Sequence, residues 1–518
     1  MNQEHAENNR RIAKNTLFLY IRMLFGMFVS LYTSRVVLNA LGVENYGIQN
    51  VVGGFVAMFS LISSALSSSI SRFITFELGT GNKERLKQVF STSLLIQAGL
   101  AAIVIIAAET VGLWFVNYKM VIPPERLYAA NWVFQASVLT FALSLLSTPY
   151  SATIIAHEKM NIFAYFGIFN IFLNLGSVLF IAYSGFEFDR LIVYSWLLLA
   201  VSVVMQLLYV SYCYRHFEES RSIPRLHKQC WKEMSGFAGW NAIGCTAGIL
   251  KDQGVNILLN LFFGPVVNAA RGIASSVSAA VGSFTGNFMT AVNPQITKSY
   301  ASEDKAYLFS LVERGSRFGY YIMMILALPI ILEAPFILGI WLKQYPDYTV
   351  IFVRLVLIYS LLEVLSNTLI TLQVATGNIR NYQIAVGGLL LMNFPVSWGI
   401  LKLGAPPYAV YIVAILIGVG CLLLRLAFLR KMVDLPIRKY LNNVVVNVLF
   451  TNICGAVVPT IVYLSMSPGI YRFISVGVVS IICASIAVVF IGCTSGERNF
   501  ILGRFNTLKS RFIKTQAV

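Results

Sequence analysis

The sequence predicts an all-α integral membrane protein of about 14 transmembrane helices, built as two pseudo-symmetric six-helix lobes followed by a C-terminal hairpin. Three observations predict it: apolar runs of 20 or more residues recur along the chain, the loop Lys and Arg are sorted to one of its two sides, and the first hairpin is echoed 222 residues later. Of 518 residues 57% are hydrophobic and 12% charged, against about 25% charged in a soluble domain. Mean hydropathy is +0.72. The net charge of +17 would suggest a nucleic-acid partner in a soluble chain. Here the cations sit in short loops between apolar runs, and they report topology instead. Transmembrane β-strands would alternate over about ten residues, whereas these runs are continuously apolar.

About 20 helical residues cross the hydrocarbon core. The polar N-terminus ends in Arg10, Arg11 and Lys14, and no small-residue cleavage site follows, so 15–38 reads as a retained first helix. Spans 46–70, 86–115, 127–150, 161–183 and 191–213 complete a first lobe. A polar loop of 16 residues, 214–229, is the largest in the chain and marks a linker between halves. Spans 231–262, 268–296, 312–341, 348–375, 382–401 and 408–428 make the second lobe, and 440–465 with 470–491 the hairpin. The expected divisions are therefore 1–213, 214–230, 231–430 and 431–518, the last carrying a basic tail.

With a cytoplasmic N-terminus, 28 of the 39 Lys and Arg fall in inner loops, tails and the adjoining helix ends, seven at the corresponding outer positions, and four deeper inside helices. That asymmetry supports a cytoplasmic location for both termini. Trp114, Tyr118, Tyr128, Trp132, Trp341, Tyr345 and Tyr348 gather at outer helix ends, as aromatic anchors do. The segment "VVLNALGVENYGIQNVVGGF" aligns with "ILLNLFFGPVVNAARGIASSV", setting Gly42 on Gly264, Leu86 on Leu308, and the 81–85 loop on 303–307. Six helices separate the copies, so they share one orientation and are related by an axis along the membrane normal.

No nucleotide-binding, nucleophile-elbow or zinc-protease motif occurs, and the seven cysteines and four histidines form no metal-ligand pattern. No cofactor or metal is expected. Charge at membrane depth costs about 2.5–3.5 kcal/mol per residue on insertion scales and marks pathways. Lys251 and Asp252 lie deepest, in the first helix of the second lobe; as neighbours they point about 100° apart and are expected to serve different faces. Arg22 and Arg35 lie on the first helix of the other lobe, and Arg271 one turn into span 268–296. These four cations are the candidate substrate-binding residues of a cationic cavity, since a guanidinium matches phosphate geometry. Asp252 and Glu363 are the candidate ion-coupling residues, for H+ or Na+, with membrane potential alone as the alternative drive. Glu109 and Glu333 read as salt-bridge partners, and Arg72 and Glu77 each as an interface or gating contact.

The chain resembles the Wzx-type polysaccharide flippases, in the MOP superfamily that also holds the MATE multidrug extruders and MurJ-like peptidoglycan-precursor flippases. The resemblance is carried by "NTLFLYIRMLFGMFVSLYTSRVVLNALGVENYGIQNVV", "SSSISRFITFELGTGN" and "QGVNILLNLFFGPVVNAARGIASSVSAAVGSFTGNFMTAVNPQITKSYA", within 11–428. It implies a transporter that is not an enzyme. Its substrate would be undecaprenyl-pyrophosphate-linked oligosaccharide, flipped without ATP for O-antigen, lipopolysaccharide or other polysaccharide biosynthesis. It also implies cationic cavity residues, here Arg22 and Lys251 with Arg35 and Arg271, and a monomer working beside polymerase and chain-length proteins. Two rivals are a cation-coupled multidrug exporter of the same fold, which needs an acidic or aromatic pocket, and a membrane polymerase or ligase, which needs a large outer loop or a carboxylate cluster.

Overall fold

A computed structural model describes residues 3–57, 60–118, 122–184 and 188–499. All regular structure among them is helical. In chain order the helices are α1 (Gln3–Ala57), α2 (Ser60–Thr80), α3 (Lys83–Ala107), α4 (Leu113–Tyr118), α5 (Leu127–Ala156), α6 (Met160–Tyr183), α7 (Arg190–His216), α8 (Lys228–Phe263) and α9 (Pro265–Ala301). There follow α10 (Lys305–Leu342), α11 (Thr349–Thr376), α12 (Arg380–Leu391), α13 (Asn393–Lys402), α14 (Ala409–Val433), α15 (Ile437–Tyr440), α16 (Asn447–Ser465) and α17 (Ile470–Ala487).

Among the described residues, eleven helical stretches are long and apolar enough to cross a membrane. The chain is a multi-pass membrane protein. The other three expected spans, 46–70, 231–262 and 268–296, fall on α1 with α2, on α8 and on α9. Ser, Gly, Asn and charged residues lower their hydropathy, and in α8 and α9 those residues line the cavity described below.

The repeat is written in the backbone. Gly42 breaks α1 into two helices at φ 79, ψ 163, and Gly264, which separates α8 from α9, has φ 78. Gly81 (φ 74) and Glu303 (φ 59) are again 222 residues apart, and Leu86 and Leu308 are both buried. An L side chain at φ near +80° with an extended ψ costs about 1–3 kcal/mol. Gly42→Val is therefore expected to lower thermal stability in detergent by that amount. Gly248→Ala, on a helix with open space around it, should be neutral or stabilising.

The chain divides into two compact units. The first comprises Met1–Thr246, Thr290–Lys305 and Gly377–Ile379; the second comprises Ala247–Met289, Ala306–Thr376 and the chain from Arg380. The first runs through 214–230 without a break because that loop is strapped down. His157 pairs with Glu219 at 2.7 Å, and Ser91 Oγ donates to the carbonyl of Arg225 at 2.9 Å. In this unit α5 packs on α3 and α7, and α1 packs on α6 through Phe25 and Phe172, whose ring centroids are 5.1 Å apart.

In the second unit the C-terminal hairpin lies along α10. Asn443 donates to Glu313 at 3.0 Å, Arg317 to Glu497 at 2.8 Å and Asn452 to the Tyr320 hydroxyl at 2.8 Å. Arg472 grips Glu333 through both carboxylate oxygens, at 2.7 and 3.2 Å. Glu333, expected as a salt-bridge partner, is one; Glu109 instead accepts from Gln135 at 3.1 Å. Gly492, in a π-helical turn, leaves room for the Tyr321 hydroxyl, which donates to its carbonyl at 3.2 Å.

Candidate functional site

A cavity of about 450 Å³ opens in the second unit between α8, α9, α11, α13 and α14. Its chemistry starts on α8. Lys251 is 9% exposed, donates to the Tyr359 hydroxyl at 2.9 Å, and has its Nζ 3.4 Å from Asp252 Oδ1. The expected divergence of Lys251 and Asp252 is thus corrected: the four-carbon lysine stem reaches back to its neighbour's carboxylate. Arg271 on α9 is 8% exposed, and its Nη2 donates to the backbone carbonyl of Asp252 at 2.9 Å. Its guanidinium carbon stands 6.0 Å from the Tyr411 ring centroid.

The far wall comes from α11, where Val356, Tyr359, Ser360 and Glu363 recur at helical spacing on one face. Ser360 and Ser278 share a hydrogen bond of 2.8 Å between α11 and α9. Asn393 enters where span 382–401 is interrupted between α12 and α13. Pro395 has no N–H, so the ladder loses the bond to the Leu391 carbonyl. Asn393 is fully buried, its Oδ1 accepts from Ser397, and its Nδ2 has no partner in the structure. Gly254 lets this segment approach α8, since a Cβ there would stand 2.8 Å from Phe394.

Four of the six candidate residues therefore meet in one place: Lys251, Arg271, Asp252 and Glu363. The other two do not join them. Arg22 lies on α1 in the first unit, its guanidinium 4.6 Å over the Phe163 ring and its stem laid across Gly167. Aromatic stacking and a glycine notch hold it against α6, so it is no wall of this cavity. The Arg35 side chain lies outside the described residues. The cavity is also not simply cationic: two cations face two carboxylates, together with two tyrosines, three serines (275, 278 and 360) and two asparagines (256 and 393).

Sequence reasoning missed Tyr359, Ser360, Tyr411 and Asn393. The first two carried a legible signal, a polar stripe through an otherwise apolar helix in "IYSLLEVLSN". It also missed Arg425 on α14, which donates to Ser366 and Tyr382 at 3.1 and 3.2 Å and has no carboxylate partner among the described residues. The two residues expected as interface or gating contacts have different surroundings. Arg72 sits among Phe73, Phe76 and Phe237, whereas Glu77 lies 3.7 Å from Arg85.

These helices and this cavity have the architecture of a membrane transporter fold. Three solved structures share it. A multidrug-resistance MATE family transporter of the MOP superfamily, in an outward-facing conformation, matches with TM-score 0.67 and 14% identity, over 82% of this chain and 96% of that one. A MATE in the bent conformation matches with TM-score 0.68 and 14% identity, over 83% and 99%. A MOP superfamily transporter from Pyrococcus furiosus, described as having a binding pocket of reverse polarity that suggests a different function, matches with TM-score 0.63 and 14% identity, over 81% and 96%. No family model and no curated protein sequence matches the chain.

Proposed function

We propose that this protein is an alternating-access flippase of the bacterial inner membrane. It moves polyprenyl-diphosphate-linked oligosaccharide from the inner to the outer leaflet for surface polysaccharide assembly. The observation that supports this reading is the mixed chemistry of the second-unit cavity, where buried Lys251 and Arg271 stand among hydroxyls, amides and carboxylates. Sugar hydroxyls both donate and accept, and a lining of Ser, Asn, Tyr, Asp and Glu offers both partners. A phosphate needs cations with spare donors, and among the described residues Arg271 gives one of its five N–H donors, to the Asp252 carbonyl. An inside-negative potential favours outward passage of negative charge by about 2.3 kcal/mol per charge per 100 mV. Asp252 and Glu363 are the sites where H+ or Na+ coupling would act.

One observation favours a second reading, a multidrug exporter: the same cavity holds two carboxylates beside two tyrosines, groups that attract organic cations. The fold leaves the choice open, because its relatives include a multidrug transporter and one described as having reverse pocket polarity. Reconstitution separates the readings. Proteoliposomes given lipid-linked oligosaccharide, with potential, pH and sodium gradients imposed one at a time, are expected to flip the lipid and to leave an organic cation dye unmoved. Dye efflux without lipid flipping would overturn the proposal in favour of the exporter.

A further inference from the structure

We infer that Glu158 is a latch that holds the last turns of α9 in the first unit, so that its release loosens the stretch of the same helix that carries the cavity wall. Helix α9 serves two bodies: its residues to Met289 belong to the second unit, and Thr290 onward belongs to the first. The earlier part carries Arg271, Ser275, Ser278 and Ala279 of the cavity wall. The later part ends on Glu158, at the turn between α5 and α6.

Glu158 is only 4% exposed and sits at φ 58. Its carboxylate receives Lys298 Nζ at 2.7 Å, Arg11 Nε at 2.8 Å and Gln295 Nε2, while its backbone carbonyl accepts from Asn15 Nδ2 at 3.2 Å. One carboxylate thus joins the start of α1, the α5–α6 turn and the last turns of α9. A second, apolar contact holds the same end. On α2, a Cβ at Gly79 would lie 2.7 Å from the Ala301 Cβ and 2.9 Å from the Lys298 Cα, so the two helix backbones touch. Phe76 and Tyr300 add a ring contact at 6.4 Å.

Any conformation in which α9 moves as one body with the second unit must pull Lys298 and Gln295 off Glu158. The carboxylate would then lose a cation and an amide and keep Arg11, so its contact with α9 is either made or broken rather than continuously variable. All the latch residues lie on the side where the N-terminus enters, the side expected to be cytoplasmic. From Lys298 to the cavity wall at Ala279 the helix spans about 28 Å and runs on through Pro294 without a break, so release at one end can be transmitted along one element to the other.

Hydrogen–deuterium exchange of the full chain in lipid nanodiscs tests this without any substrate, so its failure leaves the flippase reading standing and the reverse also holds. In Glu158→Gln, amides of residues 290–305 are expected to exchange about tenfold faster, and those of the cavity-lining stretch 271–279 should gain exposure in the same variant. Gly79→Val, which forces the backbones apart without touching charge, should do the same. Helices α16 and α17 should stay unchanged throughout. Unaltered exchange in both Glu158→Gln and Gly79→Val would overturn the latch. So would loosening confined to 290–305 with 271–279 still protected, since Glu158 would then be only a clamp on a helix end.

Discussion

Replacing Lys251 with glutamate is expected to abolish translocation in the reconstituted assay. The variant would place three carboxylates, at 251, 252 and 363, around the Tyr359 hydroxyl that now accepts from Lys251. Like charges at such range disfavour ionisation or drive the groups apart, and an anionic substrate would meet them unshielded. Lys251→Arg keeps the charge but enlarges the head, and should retain part of the rate. Arg271→Glu should act in the same direction. The measurement is the initial rate of lipid-linked oligosaccharide flipping at fixed potential. Unchanged rates in both reversed variants would refute the role given to this cavity.

Arg472→Leu is expected to be the most destabilising single change in the C-terminal hairpin. It would strand Glu333, which is 1% exposed and sits between Pro329 and Pro335 where α10 leaves helical geometry (φ −98, ψ 23). Removing one partner of a buried pair costs about 3–5 kcal/mol, because the survivor keeps its desolvation penalty. Thermal unfolding in detergent should show this loss. The double variant Glu333→Gln with Arg472→Leu should recover much of it, since no charge is then left alone. If the single and double variants were equally stable, the pair would contribute nothing to holding the hairpin on α10.

Much of the fold was readable from local pattern. Each of the fourteen expected spans is helical over nearly all of its described residues. The alignment of Gly42 with Gly264 anticipated two backbone breaks of nearly the same φ, because only glycine adopts that conformation at little cost. The site was readable in kind more than in arrangement. Charge in an apolar run flagged Lys251, Asp252, Arg271 and Glu363, which the structure gathers around one cavity. The same rule flagged Arg22, which stacks on Phe163 instead, since an expensive charge can be accommodated by an aromatic face as well as by a cavity.

Helical periodicity and charge sorting are local properties of the chain, so the sequence by itself determined the membrane class, the spans, the repeat and the short roll of costly charges. Partnership across helices is not local. The return of Lys251 onto Asp252, the binding of the hairpin to α10, and the convergence of Arg11, Gln295 and Lys298 on Glu158 each join residues through side-chain reach or packing that no spacing encodes. Those were decided only by the tertiary structure, because a buried charge must be met by whichever neighbour the packing brings within hydrogen-bond range.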